Sequence, residues 1–224
     1  MDTPATITIN SFRRAASWGF AAVKSVRGVL SDRSGVAAVE FALIAPLLLA
    51  LYFLTVEFSQ AIDTNKKVGR IASMTADLIT QQNGSTNQAD VDAILQIGEA
   101  ILQPYNRSRP TITATAIQIT NDATPRALVV WSRELSDDTS SEGPAPGKEI
   151  TTLPANLMVQ GSFLIRVEAQ LNYKPIIAWA AENKASLGLA AAFSSLNMDE
   201  TYYLRPRMSQ TITCSDCNPS APAS

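Results

Sequence analysis

The chain has 224 residues, with 18 Lys and Arg against 20 Asp and Glu, so its formal net charge is -2. This length fits one domain, or one domain with an appendage. The sequence contains no histidine, which excludes Ser-His-Asp and Cys-His catalysis and every metal site that needs a histidine. Its 2 cysteines exclude a four-cysteine zinc site and a disulfide-dense scaffold. The acidic balance argues against nucleic acid as a partner.

The most apolar stretch of the chain runs from Val36 to Val56 and contains one charged residue, Glu40, and one proline, Pro46. As a helix rising about 1.5 Å per residue it is roughly 31 Å long, which matches the hydrocarbon core of a bilayer. The residues before it are net positive, so the positive-inside rule predicts that the N-terminus is cytoplasmic. The basic residues there are Arg13, Arg14, Lys24, Arg27 and Arg33.

Two other interpretations of this stretch fit less well. A buried core helix is seldom apolar on all sides over such a length. A secretory signal peptide has an apolar core of about 7–15 residues and then a small-x-small cleavage site, for which Ser59-Gln60-Ala61 would serve. The apolar run is long for a signal peptide, and so is the segment before it. We therefore favour a membrane anchor.

A short motif marks the start of the apolar run. Gly35 is followed by four small or apolar residues, then by Glu40 and Phe41. A carboxylate at the membrane end of a helix is costly and needs a positive partner, yet no basic residue of the apolar segment lies within one helical turn of Glu40. Cleavage after Gly35 would create one, because the new ammonium group of Val36 lies about one helical turn from Glu40. The pairing forms within one chain or between neighbouring chains.

The motif resembles the class III signal of type IV prepilins, which has a glycine, four small or apolar residues, a glutamate and an aromatic residue. The longer run 35–49, with Pro46 inside it and Val56-Glu57 after it, is similar to the opening of TadE-like proteins. These are the minor pseudopilins of the tight-adherence (Tad/Flp) pilus system. The close resemblance covers residues 35 to 80 or so. The TadE type is favoured over the TadF type, and the chain after Val56 is short for the TadG type.

The resemblance implies processing by a membrane-embedded prepilin peptidase. The cut falls between Gly35 and Val36, with Gly35 as the recognition residue and Phe41 as part of the signal. Glu40 is implied to meet an N-terminal amine during assembly. Pro46 lies inside the membrane helix, where it removes a backbone hydrogen bond and predicts a kink.

The same resemblance implies the organisation and location of the protein. Residues 1–35 are then a cytoplasmic basic leader that is cleaved off, 36–56 a transmembrane helix, and 57–224 a periplasmic stem and a pilin-like head. The protein is expected to be a single-pass component of the inner membrane. Its expected partners are the peptidase and other pilins and pseudopilins. Incorporation into the extracellular pilus and N-methylation of Val36 are left open.

Beyond the apolar run the pattern predicts an α+β head. The helical periodicity continues from Glu57 to about Gln82, where Asn83-Gly84 breaks it. A second helix is predicted from Gln88 to Gln103, ended by Pro104. Alternating apolar and β-branched residues predict a small, mostly antiparallel sheet. Its strands are Thr111–Thr120, Ala127–Trp131, Ser162–Leu171 and Thr201–Leu204.

Two other segments are assigned neither a helix nor a strand from the sequence. Ser136–Lys148 is rich in Pro, Ser and acidic residues and is predicted to be a mobile loop. Its acids Asp137, Asp138 and Glu142 match no EF-hand spacing, so no metal is predicted there. Residues 175–196 fit either short helices over the sheet or an exposed apolar patch for a partner.

Cys214 and Cys217 are the only cysteines, close to a Pro/Ser/Ala-rich C-terminus. Across the membrane they would lie in an oxidising compartment, where a disulfide is the natural state. Because this disulfide closes a small loop, we expect it to constrain little beyond the tail.

Together these features predict a non-catalytic, membrane-anchored minor pseudopilin that needs no cofactor or metal. The alternative is an uncleaved, signal-anchored periplasmic domain that binds or senses a ligand. A tethered enzyme fits least, because the sequence has neither a phosphate-cradling Gly-rich loop nor a nucleophile motif.

Overall fold

The computed structural model describes residues 35–175 and 196–218. The chain divides after Leu54 into two compact units. One helix, α1 (Val36–Thr80), begins in the first unit and ends in the second. The predicted leader lies outside the described residues, except for Gly35.

The part of α1 in the first unit is apolar on all sides. From Val36 to Phe53 every side chain is exposed except that of Ala45, which is half-buried. The helix is long and apolar enough to cross a membrane by length and composition. Pro46 lies within it. Its large exposed apolar side chains are Val36, Val39, Phe41, Leu43, Ile44, Leu47, Leu48, Leu49, Leu51, Tyr52 and Phe53.

From Ala61 onward α1 is amphipathic, as its periodicity predicts. The buried stripe consists of Ala61, Val68, Ile71, Ala72, Ala76 and Ile79. Three large apolar residues of the stretch 57–80 are instead about half exposed: Phe58 at 51%, Ile62 at 55% and Met74 at 44%. The reason is that one side of the helix packs on the sheet, and these three residues lie off that stripe.

The described part of the second unit also contains a second helix and seven strands. They are β1 (Ser85–Thr86), α2 (Gln88–Ala100), β2 (Thr111–Ile119), β3 (Ala127–Ser136), β4 (Thr139–Glu142), β5 (Phe163–Tyr173), β6 (Leu196–Leu204) and β7 (Thr213–Cys214). Five strands form one antiparallel sheet in the order β4-β3-β2-β5-β6. β1 and β7 pair in parallel. The predicted α+β fold, with a long helix, a second helix and an antiparallel sheet, is confirmed.

A single large core joins α1, α2 and one face of the sheet. Burying each large apolar side chain there contributes about 1.5–3 kcal/mol. Its largest fully buried members include Trp131, Ile71, Leu95, Ile112 and Ile165. A smaller cluster around Ile117, Ile119 and Leu164 fills another part of the head.

Two local features of α2 set its N-terminus and its close packing on α1. The side chain of Asn87 caps its N-terminus, because Oδ1 accepts a 2.8 Å hydrogen bond from the backbone N–H of Asp90. Near the other end Gly98 allows a close approach to α1. A Cβ at Gly98 would lie 2.5 Å from Oγ1 of Thr75, which is closer than real Cβ atoms approach other atoms.

The structure corrects two details of the sequence interpretation. The segment Ser136–Lys148 is not simply a mobile loop, because it contains β4, whose Thr139 pairs with Ser136. Asp137 and Asp138 form the two-residue turn of this hairpin, with φ of 48° and 61°. These values match the I′ turn, which aspartate tolerates. The second helix ends at Ala100 rather than Gln103.

Two strands also begin or end elsewhere than predicted. β3 extends to Ser136, because its later residues pair with both β2 and β4. β6 begins at Leu196, where it pairs with Tyr173 of β5. Residues 176–195, most of the ambiguous segment 175–196, lie outside the described residues.

Candidate membrane-anchor and processing site

The motif that predicts processing lies at the very start of α1. Gly35 immediately precedes the helix and is exposed, and no described atom lies within 4 Å of where a Cβ would stand. Val36 is the first helical residue and is 50% exposed. Glu40 and Phe41 are both exposed, Phe41 to 71%. The predicted cleavage position therefore coincides with a helix boundary, and the Glu40 carboxylate lies one turn into the helix.

A second group of polar residues surrounds the point where the apolar stretch ends. Glu57 is only 2% exposed, although it directly follows Val56. The hydroxyl of Tyr173, at the end of β5, donates a 2.6 Å hydrogen bond to Oε1 of Glu57. Burial and this hydrogen bond to Glu57 raise the pKa of Tyr173 well above its usual range. The neutral, donating form of the hydroxyl is therefore strongly favoured.

Arg107 extends this group towards the α2–β2 connection. Its Nη2 donates to the Tyr173 hydroxyl at 3.4 Å and to Oε1 of Gln60 at 3.3 Å, and its Nε donates to the Lys174 carbonyl at 2.6 Å. The guanidinium carbon lies 4.7 Å from the centre of the Tyr105 ring, within cation–π range. We call Glu57, Gln60, Tyr105, Arg107 and Tyr173 the stem clamp.

The aromatic members of the stem clamp also contact each other. The rings of Tyr105 and Tyr173 stack with centres 5.5 Å apart and planes inclined by 20°. The Tyr105 hydroxyl accepts a 2.8 Å hydrogen bond from the backbone N–H of Lys174. The clamp thus joins the first residues of α1 after the apolar stretch to β5 and to the chain that follows α2.

The two cysteines form a disulfide with a Cα–Cα distance of 5.5 Å. With Asp216 they are the one group of three metal-ligating residue types that comes together within residues 35–175 and 196–218. While the disulfide is intact its sulfurs are not thiolate ligands, so this group has no chemistry of a metal site. The acidic residues of the predicted loop Ser136–Lys148 do not belong to this group of three residues. Asp138 instead forms an ion pair with Arg109.

Residues 35–175 and 196–218 thus contain an α+β head and one helix that is long and apolar enough to cross a membrane. Residues 35–77 match the family model described as TadE-like protein. The resemblance inferred from the motif is therefore confirmed over this segment. No curated protein matches the chain. No solved structure matches it either.

Sequence reasoning missed the stem clamp. Glu57 was visible as the charge that ends the apolar run, but its partner Tyr173 lies 116 residues away in the chain. Arg107 stands in a short polar connection whose composition resembles many exposed loops. Pairing the buried carboxylate of Glu57 with Tyr173, which lies two residues beyond the predicted strand Ser162–Leu171, would have required the tertiary fold.

Proposed function

We propose that this protein is a minor pseudopilin, a non-catalytic, membrane-anchored component that acts in assembly of a Tad/Flp pilus. A prepilin peptidase matures it by cleavage between Gly35 and Val36. The observation that carries the proposal is the family match over residues 35–77, because it begins at the glycine of the cleavage motif. The coarser part, a Tad-associated component with a membrane-spanning helix, rests on this match and on the apolar helix.

The exposure of the motif supports processing. A membrane peptidase must reach the bond between Gly35 and Val36, and both residues are exposed in the described part of the chain. Helical backbone has to open before a protease can cleave it, whereas Gly35 lies just before α1. Because cleavage leaves α1 whole, the mature protein keeps its membrane anchor.

The position of Glu40 supports a role in assembly. After cleavage the ammonium group of Val36 is four residues from Glu40, which is one helical turn. In lipid an unpaired carboxylate costs about 2.5–3.5 kcal/mol at a helix centre, and less near the end where Glu40 lies. A neighbouring chain that offers its own Val36 ammonium group would remove this cost. The charge pair would therefore favour side-by-side packing.

The exposed apolar surface of α1 supports both membrane insertion and subunit packing. Residues 36–53 present large aliphatic and aromatic side chains on every side. Such a surface is stable in lipid or against other apolar helices, but not in water. Orientation by the positive-inside rule gives a cytoplasmic leader and a periplasmic head.

The experiment is to extract the protein from its native membrane and determine its intact mass and N-terminal sequence. We expect a chain that starts at Val36. A start at Met1 would contradict processing and favour an uncleaved, signal-anchored domain. A start at Ile62 would mean cleavage by a secretory signal peptidase, and the roles of Gly35 and Glu40 would then be wrong.

One observation favours that uncleaved binding domain as the second candidate. A polar cleft of about 420 Å³ lies between the ends of β5 and β6 and the chain before β2. Its lining includes Arg109, Lys174 and Asp199, so it offers both signs of charge to a small polar ligand. A start at Met1 in the same measurement would make this cleft the first site to study.

A further inference from the structure

The segment after β6 is built into the head instead of hanging from it. We call residues 205–218 the C-terminal strap. Within it Cys217 is fully buried and Asn218 is 8% exposed. The tail that the Cys214–Cys217 disulfide closes is therefore part of the core, so a constraint on the tail also acts on the elements that it contacts.

The strap first contacts the end of α1 and the chain that follows it. The backbone N–H of Arg207 donates a 3.1 Å hydrogen bond to the carbonyl of Thr80, the last residue of α1. The Arg207 guanidinium lies 2.7 Å from Oδ1 of Asp77. Farther on, the N–H of Thr213 donates to the carbonyl of Gly84 at 3.0 Å.

Near the disulfide the strap contacts α2 and β3. Oδ1 of Asp216 accepts a 2.8 Å hydrogen bond from the N–H of Gln88, the first residue of α2. Oδ1 of Asn218 accepts a 2.9 Å bond from the N–H of Ser132, and the indole N–H of Trp131 donates to the Ile212 carbonyl at 2.7 Å. Three elements of the head therefore depend on the position of one short segment.

A buried ion pair lies beneath this end of the strap. Arg133 makes two hydrogen bonds of 2.8 and 2.9 Å to the carboxylate of Asp92 in α2. Its side chain is only 4% exposed. Nη1 of Arg133 also reaches the carbonyl of Cys217 at 3.5 Å. Loss of the strap would admit water to this pair and remove that acceptor.

The two sulfurs differ in access. Cys217 is 0% exposed, whereas Cys214 is half-buried. A reagent that exchanges disulfides can therefore reach Cys214 while the strap is docked, but cannot reach Cys217. This difference in exposure predicts that Cys214 reacts before Cys217, because exchange begins with attack by an accessible thiolate.

We propose that Cys214 is the site at which a thiol–disulfide oxidoreductase oxidises this protein, and that the resulting disulfide latches the 214–217 turn of the strap, with Asp216 and the adjacent Asn218, onto α2 and β3. The Cys214 thiolate attacks the donor disulfide and releases one donor sulfur as a thiol. The Cys217 thiolate then attacks Sγ of Cys214 and releases the second donor thiol. Two electrons pass to the donor, and its disulfide is reduced as the new one forms. The proposal rests on the proposed function in one respect, the placement of the head in an oxidising compartment.

The order of reaction is tested on the full chain in detergent, fully reduced, with oxidised glutathione as the probe. Two single-cysteine variants, Cys217→Ser and Cys214→Ser, isolate the two thiols. We expect the mixed disulfide at Cys214 to form about tenfold faster than that at Cys217, because access controls exchange. In denaturant the two rates should become similar. Equal rates in the folded protein, or faster reaction at Cys217, would overturn the assignment.

The latch is tested on the unmutated chain, so the test does not depend on whether a variant folds. Hydrogen exchange of the oxidised and reduced forms is compared by mass spectrometry. Reduction should accelerate exchange of strap residues 214–218 and of the amides of Gln88 and Ser132, which bind Asp216 and Asn218. The amides of Arg207 and Thr213 and the centre of β5 should stay protected, so that the strap remains docked over Cys217. Unchanged protection after reduction would overturn the latch.

Zinc provides the remaining control. The reduced chain is titrated with Zn²⁺, because Cys214, Asp216 and Cys217 are the ligand types that zinc accepts. Failure to bind stoichiometric zinc is expected. Stoichiometric zinc that restores the protection of the strap would overturn the redox assignment in favour of a metal site. None of these outcomes depends on pilus assembly, so failure here is distinguishable from failure of the proposed function.

Discussion

The hydroxyl of Tyr173 donates a 2.6 Å hydrogen bond to the buried carboxylate of Glu57, the first residue of α1 after the apolar stretch. Tyr173 ends β5. The bond therefore joins the stem to the end of an interior strand of the sheet. Hydrogen bonds to charged groups are worth more than neutral ones, so this contact is well suited to fixing the stem in the head.

Replacing Tyr173 by Phe should destabilise the head. The substitution keeps the ring and its stacking on Tyr105 but removes the hydroxyl, which leaves the Glu57 carboxylate with one donor fewer. We expect the free energy of unfolding to fall by about 1–3 kcal/mol, measured by urea unfolding of the full chain in detergent. Tyr202→Phe is the matched control, since Tyr202 is 43% exposed, and should change the value by less than about 0.5 kcal/mol. Equal effects of the two substitutions would contradict the role of the clamp.

The raised pKa of the Tyr173 hydroxyl predicts that the protein loses stability at high pH. Burial and the bond to Glu57 raise the folded-state pKa of Tyr173 above the unfolded value of 10.0. The unfolded chain therefore loses this proton first, so the stabilisation is complete below about pH 10 and is lost as the pH rises above it. We expect the difference in unfolding free energy between the unmutated chain and Tyr173→Phe to shrink above this pH. A difference that stays constant would show that Tyr173 does not titrate in this way.

Gly35→Leu should block maturation. A bulky side chain at the recognition position prevents the peptidase from accepting the bond to Val36, so the uncleaved chain should accumulate in the membrane. Ala50→Leu is the control, because it adds the same side chain at another exposed position of α1 and leaves the motif intact. Intact mass of the extracted proteins distinguishes the forms. A Gly35→Leu protein that starts at Val36 would refute the assigned recognition residue.

The Glu40 carboxylate should contact the Val36 ammonium group in the assembled state. A carbodiimide, which joins an amine to a carboxylate in contact, should yield a Val36–Glu40 cross-link that mass spectrometry identifies as within or between chains. Glu40→Gln should be cleaved normally but lose the cross-link and assembly into pili. Asp63→Asn removes a charge from an exposed part of α1, where Asp63 lies 3.3 Å from Lys67, and should keep both. Normal assembly of Glu40→Gln would exclude the proposed role.

Two glycines of the helices should respond to alanine with opposite signs. At Gly98 the new Cβ would meet Oγ1 of Thr75 at 2.5 Å, so despite the better helix propensity of alanine we expect a loss of about 1–3 kcal/mol. At Gly69 the nearest atoms are those of the Glu200 side chain at 3.8 Å. Gly69→Ala should therefore stabilise the protein by up to about 1 kcal/mol. Urea unfolding of both variants measures the contrast, and a gain at Gly98 would contradict the close helix packing.

Much of the fold follows from local patterns in the sequence. The apolar run and the amphipathic stem predict α1, and Asn83-Gly84 lies three residues beyond the end of the helix at Thr80. The alternation in Thr111–Thr120 and Ser162–Leu171 predicts two adjacent interior strands of the sheet, which the structure has at Thr111–Ile119 and Phe163–Tyr173. Side chains three or four residues apart in a helix, and two apart in a strand, share a face whatever the rest of the chain does. The cleavage motif is also local, which is why the family resemblance was readable from it.

The sequence did not reveal the features that depend on distant partners. β4 is made of polar residues, Thr139–Glu142. It forms because the Asp137-Asp138 turn brings it alongside β3, with which it pairs in antiparallel. The strap contacts of Asp216 and Asn218 span 128 and 86 residues of chain. No local preference selects one such partner over another, since each pairing depends on elements that must already be folded.

The sequence by itself therefore determined the long apolar helix, the TadE-like segment and the α+β class. Only the tertiary structure decided that Glu57 is held by Tyr173 and that the strap containing the cysteine pair packs on the core. The physical reason is range: periodicity and short motifs act within a few residues, whereas the clamp and the strap arise from packing of segments that are far apart in the chain.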